Sequence, residues 1–236
     1  MSQDQDPVFV KAAFSSIAAR YSLTNHILSL GIDVLWRRRV AGLVAAEQPR
    51  DVLDVAAGTG DLSLELQRRC PGAEVTASDF CPEMLELARR SGVRKTLEAD
   101  ALNLPFAEGS FDVVTVAYGL RNMSSWAGAV REMRRVLRPR GVLIILDFSL
   151  PEGWMRGPYR WYLHRVLPLV AGAMTGNRAA YEYLGDSIER FPSGKAMGEL
   201  LRANGFAETE WHPLSGGISA IYVSRGSEAD EGATFA

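Results

Sequence analysis

With only two cysteines, Cys70 and Cys81, the chain cannot be a disulfide scaffold, and their spacing fits neither a CxxC redox pair nor a zinc knuckle. Both read as idle thiols of a reducing compartment, and no metal site is expected. No uninterrupted apolar run approaches the roughly 18–20 residues that a bilayer-spanning helix needs. The opening residues, MSQDQDP, lack the basic start and apolar stretch of a signal peptide. These absences predict a soluble cytoplasmic protein that touches a membrane, if at all, from the inner face. An excess of one charge is missing too. The 26 basic side chains face 28 acidic ones, so no nucleic-acid partner is expected beyond what a local patch could hold. What is present is 47% hydrophobic and 23% charged residues over 236 positions, which excludes disordered and collagen-like classes. A chain of this length buries roughly 70–75% of its unfolded surface, enough for one core.

The first segment is patterned as a helix, with Val10, Phe14, Ile17 and Tyr21 at three- and four-residue spacing. After a break at Gly31, Asp33 can cap a second helix whose apolar side carries Trp36, Val40 and Leu43. Arg37, Arg38 and Arg39 then read as a solvated basic face, or as a contact for an anionic headgroup or phosphate. From Asp51 short apolar runs alternate with amphipathic segments. Strands are predicted at Val52–Ala56, Glu74–Ser78, Thr96–Ala99, Phe111–Ala117 and Val142–Phe148, and helices at Leu62–Cys70, Pro82–Arg90 and Trp126–Leu137. Asp61, Asp79 and Ser124 or Ser125 are the start signals, and Pro139-Arg140-Gly141 is a stop after the last helix. The alternation predicts an α/β fold with a mostly parallel central sheet and helices on both faces. An aromatic stretch interleaved with Arg156, Arg160 and Arg165 follows, then a short helix ending at Gly205 and a hairpin through Gly216-Gly217. The expected organisation is a helical cover over 1–50, one main domain over 51–225 with a second cover over 151–190, and a disordered tail over 226–236.

Chemistry-bearing residues gather at strand ends. The run Asp54 to Asp61 holds Gly58, Thr59 and Gly60 in a turn that lets a ligand approach the backbone and the start of the next helix. A tight turn alone explains two glycines equally well. Ser63 stands where a dinucleotide fingerprint needs its third glycine, which argues against a pyrophosphate cradle. Asp79 follows about 20 residues on, where a carboxylate can accept from both hydroxyls of a ribose. Asp100 and Ala101 end the third strand, within reach of an adenine amine. Each carboxylate could instead be a helix cap, but three signals at three successive strand ends describe an adenosine site without phosphates. On this fold such a ligand points to S-adenosylmethionine. Asp54 is then expected to accept from the methionyl ammonium, and loop amides with Thr59 to meet the carboxylate.

The motifs DVAAGTGD (54–61), ASDFCPEML (77–85), ADALNLPF (99–106) and SFDVVTVAYGLRN (110–122) resemble class I methyltransferases. The runs Phe14–Arg38, Tyr118–Asn122 and Tyr181–Ser193 are similar to the ubiquinone/menaquinone biosynthesis C-methyltransferase family, its menaquinone branch in particular, over about residues 9 to 224. Departures are Ala57 for a frequent glycine, Ser22 for aspartate and Gly185 for proline. The resemblance implies a Rossmann-like fold and methylation of a polyprenyl quinol ring carbon, demethylmenaquinol to menaquinol. It places Thr59, Asp79, Asp100, Ala101 and Ala117 at the cofactor, and Arg121 and Asn122 on the acceptor side. Arg121 is expected to stabilise a phenolate or to orient a water, with a structural ion pair as the alternative; Tyr118 or Tyr181 could bond a quinol oxygen. His26, His164 and His212 are competing bases. The stretch Trp154–Thr175 reads as a groove or membrane contact for the prenyl tail, or as a homodimer interface. Another small or lipid acceptor, including a ubiquinone precursor, an oxidoreductase and a non-catalytic sensor are the rival functions.

Overall fold

The computed structural model describes residues 31–169, 172 and 178–226. The predicted first helix, Ser22, His26 and the tail beyond Gly226 lie outside them. Helix α1 (Asp33–Ala46) leads into β1 (Asp51–Val55), α2 (Asp61–Arg69), β2 (Glu74–Asp79), α3 (Pro82–Arg90) and β3 (Lys95–Glu98). The chain then crosses to β4 (Phe111–Ala117), a short turn of helix at Leu120–Asn122, α4 (Trp126–Val136) and β5 (Leu137–Phe148). Helices α5 (Arg156–Trp161, extended through a wider turn at Tyr162–Val166), α6 (Arg178–Arg190) and α7 (Lys195–Ala203) precede the hairpin β6 (Phe206–Leu214) and β7 (Ser219–Gly226).

The seven strands form one sheet in the order β3-β2-β1-β4-β5-β7-β6. The first five are parallel, and β7 and β6 add antiparallel at one edge. Both faces are buried, as a parallel sheet demands, and the period of two assigns them. Val52, Val113, Val142, Ile144, Leu146, Ile221 and Val223 pack toward α1 and α2. Leu53, Val55, Val114, Val116, Leu143, Ile145 and Tyr222 pack toward α4 and α7. The chain leaves β3 at one edge and returns to pair β4 with β1, so the segments after β1 and β4 diverge at a switch point. In open α/β sheets that is where ligands bind.

Three local expectations are corrected. Asp33 does not cap α1: Ile32 is the cap residue, and the Asp33 carboxylate pairs one turn on with Arg37. Pro139-Arg140-Gly141 does not separate α4 from a later strand. Leu137 already pairs with Phe111 and Val142 with Val113, so these residues form an irregular bulge inside β5, held by Arg138 on Asp51 and Asp112. The predicted start at Asp61 moves one residue back, because Gly60 in a left-handed conformation (φ 83°) caps α2. Ser125 does cap α4, its Oγ accepting from the Gly128 N–H at 3.0 Å.

Candidate active site

The ends of β1, β2 and β4 and the loop after β3 wall a cleft of about 1120 Å³, open solvent included. Asp54, Gly58, Thr59, Asp79, Asp100, Ala101, Ala117, Tyr118 and Asn122, all marked in the sequence, line it. Gly60 and Arg121 do not.

The two glycines of the loop divide the work. A Cβ added to Gly58 would meet nothing within 4 Å, so its backbone stands open to a ligand. One added to Gly60 would lie 2.5 Å from Val93 Cγ2 and 3.0 Å from Ala88 Cβ, so Gly60 serves the close packing of the loop on α3. Asp79 is buried at the end of β2. Its Oδ2 accepts from the Gly58 N–H at 2.8 Å and its Oδ1 from the Cys81 N–H at 2.9 Å, which ties the two loops together around the carboxylate. Burial pushes its carboxyl above the ordinary range, against the pull of those N–H donors. Asp100 is exposed, and its Oδ1 accepts from the Leu102 N–H at 2.9 Å. It therefore braces its own turn while facing the cleft.

Asp54 is held differently from the expectation. Its Oδ2 accepts from Ser63 Oγ at 2.5 Å and its Oδ1 from Thr115 Oγ1 at 2.8 Å. Ser63, which displaces the dinucleotide glycine, thus locks the cleft floor. Burial pushes Asp54 from 3.8 up to about 6, with the Asp79 charge adding to the rise and the two hydroxyls and Arg37 opposing it. A carboxyl raised on folding holds its proton more tightly when folded. Its contribution is complete below pH 4 and is lost as pH rises through about 6, a cost near 3 kcal/mol at ~1.4 kcal/mol per unit. Asp54→Asn should therefore raise thermal stability at pH 8 and flatten its fall between pH 4 and 6, while weakening any cationic ligand. Thermal unfolding across pH checks this; a variant that loses stability at pH 8 contradicts it.

At the β4 side, Tyr118 has φ 59°, rare for a bulky residue, and Ala56 at the end of β1 has φ 53°. Tyr118 N–H donates to Leu146 O at 2.8 Å, and its ring lies 4.8 Å from that of Phe148. Burial drives its phenol far above the ordinary value. Asn122 lies in the turn that follows, its Nδ2 donating to Tyr118 O at 3.4 Å and its Oδ1 accepting from Tyr183 of α6 at 3.3 Å.

Arg121 departs from the acceptor-facing expectation. It is 4% exposed, and its Nη1 donates to Asp147 Oδ1 at 2.6 Å and to Tyr118 O at 2.7 Å, with the guanidinium 5.2 Å from the Phe148 ring. The end of β5 presents a buried carboxylate beside it, so the cation is drawn behind the cleft wall, the ion-pair alternative. The histidines do not line the cleft within the described residues. His164 bonds Glu189 at 2.7 Å between α5 and α6, and His212 lies 3.3 Å from Glu210 on β6. Tyr181 of α6 is buried in the core.

Sequence reasoning missed Arg37, Asp61, Phe80, Met84, Leu102, Met123 and Ser124 in the lining. For Arg37 the signal was ambiguous, since three consecutive arginines look like a solvated face. Phe80 and Leu102 each lie within two residues of a marked carboxylate, and that adjacency was the available clue. Five charged side chains line the cleft: Asp54, Asp61, Asp79 and Asp100 against Arg37. That balance favours a cationic ligand and disfavours a pyrophosphate, which fits the sulfonium of S-adenosylmethionine. Fold and site together define an S-adenosylmethionine-dependent methyltransferase of class I.

The comparisons agree. A SAM-dependent methyltransferase of known crystal structure from Thermotoga maritima superposes with a TM-score of 0.67 at 19% identity, covering 92% of this chain and 100% of that one. Demethylmenaquinone methyltransferase of Thermus thermophilus is 46% identical over 89% of this chain and 98% of its own. The Deinococcus radiodurans protein of the same name is 44% identical over 91% of both. Residues 1–225 match the ubiE/COQ5 methyltransferase family, and the chain belongs to it.

Proposed function

We propose that this enzyme transfers a methyl group to a ring carbon of a polyprenyl quinol, converting demethylmenaquinol to menaquinol. The observation that carries the reading is the acidic cleft at the β1/β4 switch point, whose Asn122 accepts from Tyr183 of α6 at 3.3 Å. The names of the relatives support the choice of acceptor. Asp79 would hold the ribose hydroxyls, Asp100 and Ala101 the adenine edge, and Phe80, Met84 and Leu102 the apolar faces of the base. Gly58, Thr59 and Ala117 would leave room along the nucleoside. When bound, the cofactor supplies an electrophilic methyl on a sulfonium, and the negative cleft floor at Asp54 stabilises that positive charge.

Loss of a ring-hydroxyl proton to solvent would make the acceptor carbon nucleophilic. That carbon would take the methyl as the sulfur–methyl bond breaks, leaving S-adenosylhomocysteine, and would then release its own proton to water as the ring regains aromaticity. Tyr118 and Asn122, held by Arg121 and Tyr183, form the wall against which the ring would be aligned. Arg121, neutralised by Asp147, acts as a positioning residue here. Supplying purified enzyme with S-adenosylmethionine and reduced demethylmenaquinone should yield menaquinol by mass spectrometry. Transfer to a ubiquinone precursor or another small acceptor, with none to demethylmenaquinol, overturns the choice of substrate.

The prenyl tail needs an apolar surface, since exposed hydrocarbon costs about 25 cal/mol per Å². Around α5, Trp154 is 85% exposed, Trp161 63% and Leu169 58%, with Arg156, Arg160 and Arg165 also at the surface. Among the described residues no helix is long and apolar enough to cross a membrane. This mixture of tryptophan and arginine suits contact with an anionic lipid surface at the inner face of the membrane. Flotation with phosphatidylglycerol vesicles should recover the protein, and W154A/W161A should reduce recovery at least tenfold. Failure to bind vesicles with or without substrate, or a concentration-dependent dimer that buries these tryptophans instead, rejects the membrane role.

A further inference from the structure

Arg37 is the one cation among the described residues lining the cleft, and α1 brings it there from outside the glycine-rich loop. It is 6% exposed, and its partner Asp33, one helical turn earlier, is 1% exposed. An i,i+4 pair of this kind stabilises a helix on any solvated face. Burying it against a ligand cleft carries a desolvation cost that such a pair does not recover by itself. The Asp33 carboxylate bonds Nη2, fixing the plane of the guanidinium, while Asp61 Oδ2 lies 3.8 Å away, beyond hydrogen-bond range. Arg37 thus stands beside the start of α2, near Asp61, whose carboxylate accepts from Thr59 Oγ1 at 3.3 Å.

We infer that Arg37 binds the carboxylate of the methionyl end of the cofactor, so that α1 forms a wall of the cofactor site and selects ligands that carry this group. The inference rests on the cofactor reading above. It also orders the charges: Arg37 meets the carboxylate, whereas Asp54 and Asp61 face the ammonium and sulfonium. A guanidinium suits this task because it presents fixed donors that match a carboxylate edge.

Calorimetric titration with S-adenosylhomocysteine, its decarboxylated analogue and 5′-methylthioadenosine tests it. The unsubstituted chain should bind S-adenosylhomocysteine about ten- to a hundredfold more tightly than the decarboxylated analogue, the range of a charge-assisted hydrogen bond. Arg37→Met should erase that preference while holding 5′-methylthioadenosine within about threefold, a difference that a general loss of packing would not produce. If R37M leaves too little folded protein, D33N/R37M, which removes the buried charge left behind, carries the same comparison. Equal affinity of the unsubstituted chain for the carboxylated and decarboxylated ligands overturns the role of Arg37 alone, as does a variant that weakens all three alike. No binding of any of the three by the unsubstituted chain overturns the cofactor reading together with it.

Discussion

Asp79→Asn should weaken S-adenosylhomocysteine binding by at least about a hundredfold. The carboxylate already accepts from the Gly58 and Cys81 N–H groups, at 2.8 and 2.9 Å, through one oxygen each. Each oxygen keeps a second lone pair for a ribose hydroxyl. Two charge-assisted bonds at roughly 1.5–3 kcal/mol apiece amount to two or more decades of affinity. The amide substitute also turns an NH₂ donor toward one of the two backbone donors, so the loop around Gly58 shifts as well. Titration calorimetry reads the effect, with thermal unfolding as the control for folding. A D79N variant that is folded and binds within about fivefold of the parent would show that the ribose lies elsewhere.

Arg121→Ala should cost roughly 3–5 kcal/mol of stability, because it strands Asp147 as an uncompensated buried charge. For a chain of this size that corresponds to a fall of about 6–20 °C in Tm. The loss comes from one local cluster. Arg121 joins Asp147 at 2.6 Å, the Tyr118 carbonyl at 2.7 Å and the face of Phe148. Burial raises the Asp147 carboxyl while the guanidinium pulls it down, and removing the cation leaves only the upward push. R121M/D147N, which takes away both charges, should restore most of the stability. Turnover with quinol should fall in both variants by more than cofactor affinity does, since Tyr118 and Asn122 are held through Arg121. A single variant within about 1 kcal/mol of the parent, or a double variant no better than the single one, would refute the buried pair.

Much of the cleft lining could be read in advance. A strand followed by a tight turn and a helix puts the residues of that turn at the carboxyl end of a parallel sheet, whatever the rest of the chain does. Gly58, Asp79, Asp100 and Ala117 needed no more than that. That Gly60 packs on α3 and stays out of the cleft lining had no signal, because two glycines of one turn look alike until α3 packs on one of them. Asp54 was found, but its hydroxyl partners come from α2 and β4, and Thr115 is 61 residues away. Tyr118 carries no signal of its left-handed backbone, since only context forces a bulky residue there.

The amino-acid order alone determined the alternation of strands and helices, the terminal hairpin and the row of acidic strand ends, because these depend on short-range periodicity and turn chemistry. Tertiary packing decided which arginine enters the cleft and which is withdrawn from it. Arg37 points inward because α1 lies against α2 and turns that side chain toward the loop, leaving Arg38 and Arg39 in solvent. Arg121 is drawn back because β5 delivers Asp147 beside it. For Arg121 a carboxylate brought close by folding sets where the positive charge rests, whereas Arg37 keeps the partner of its own helical turn and is placed by the packing of α1 on α2.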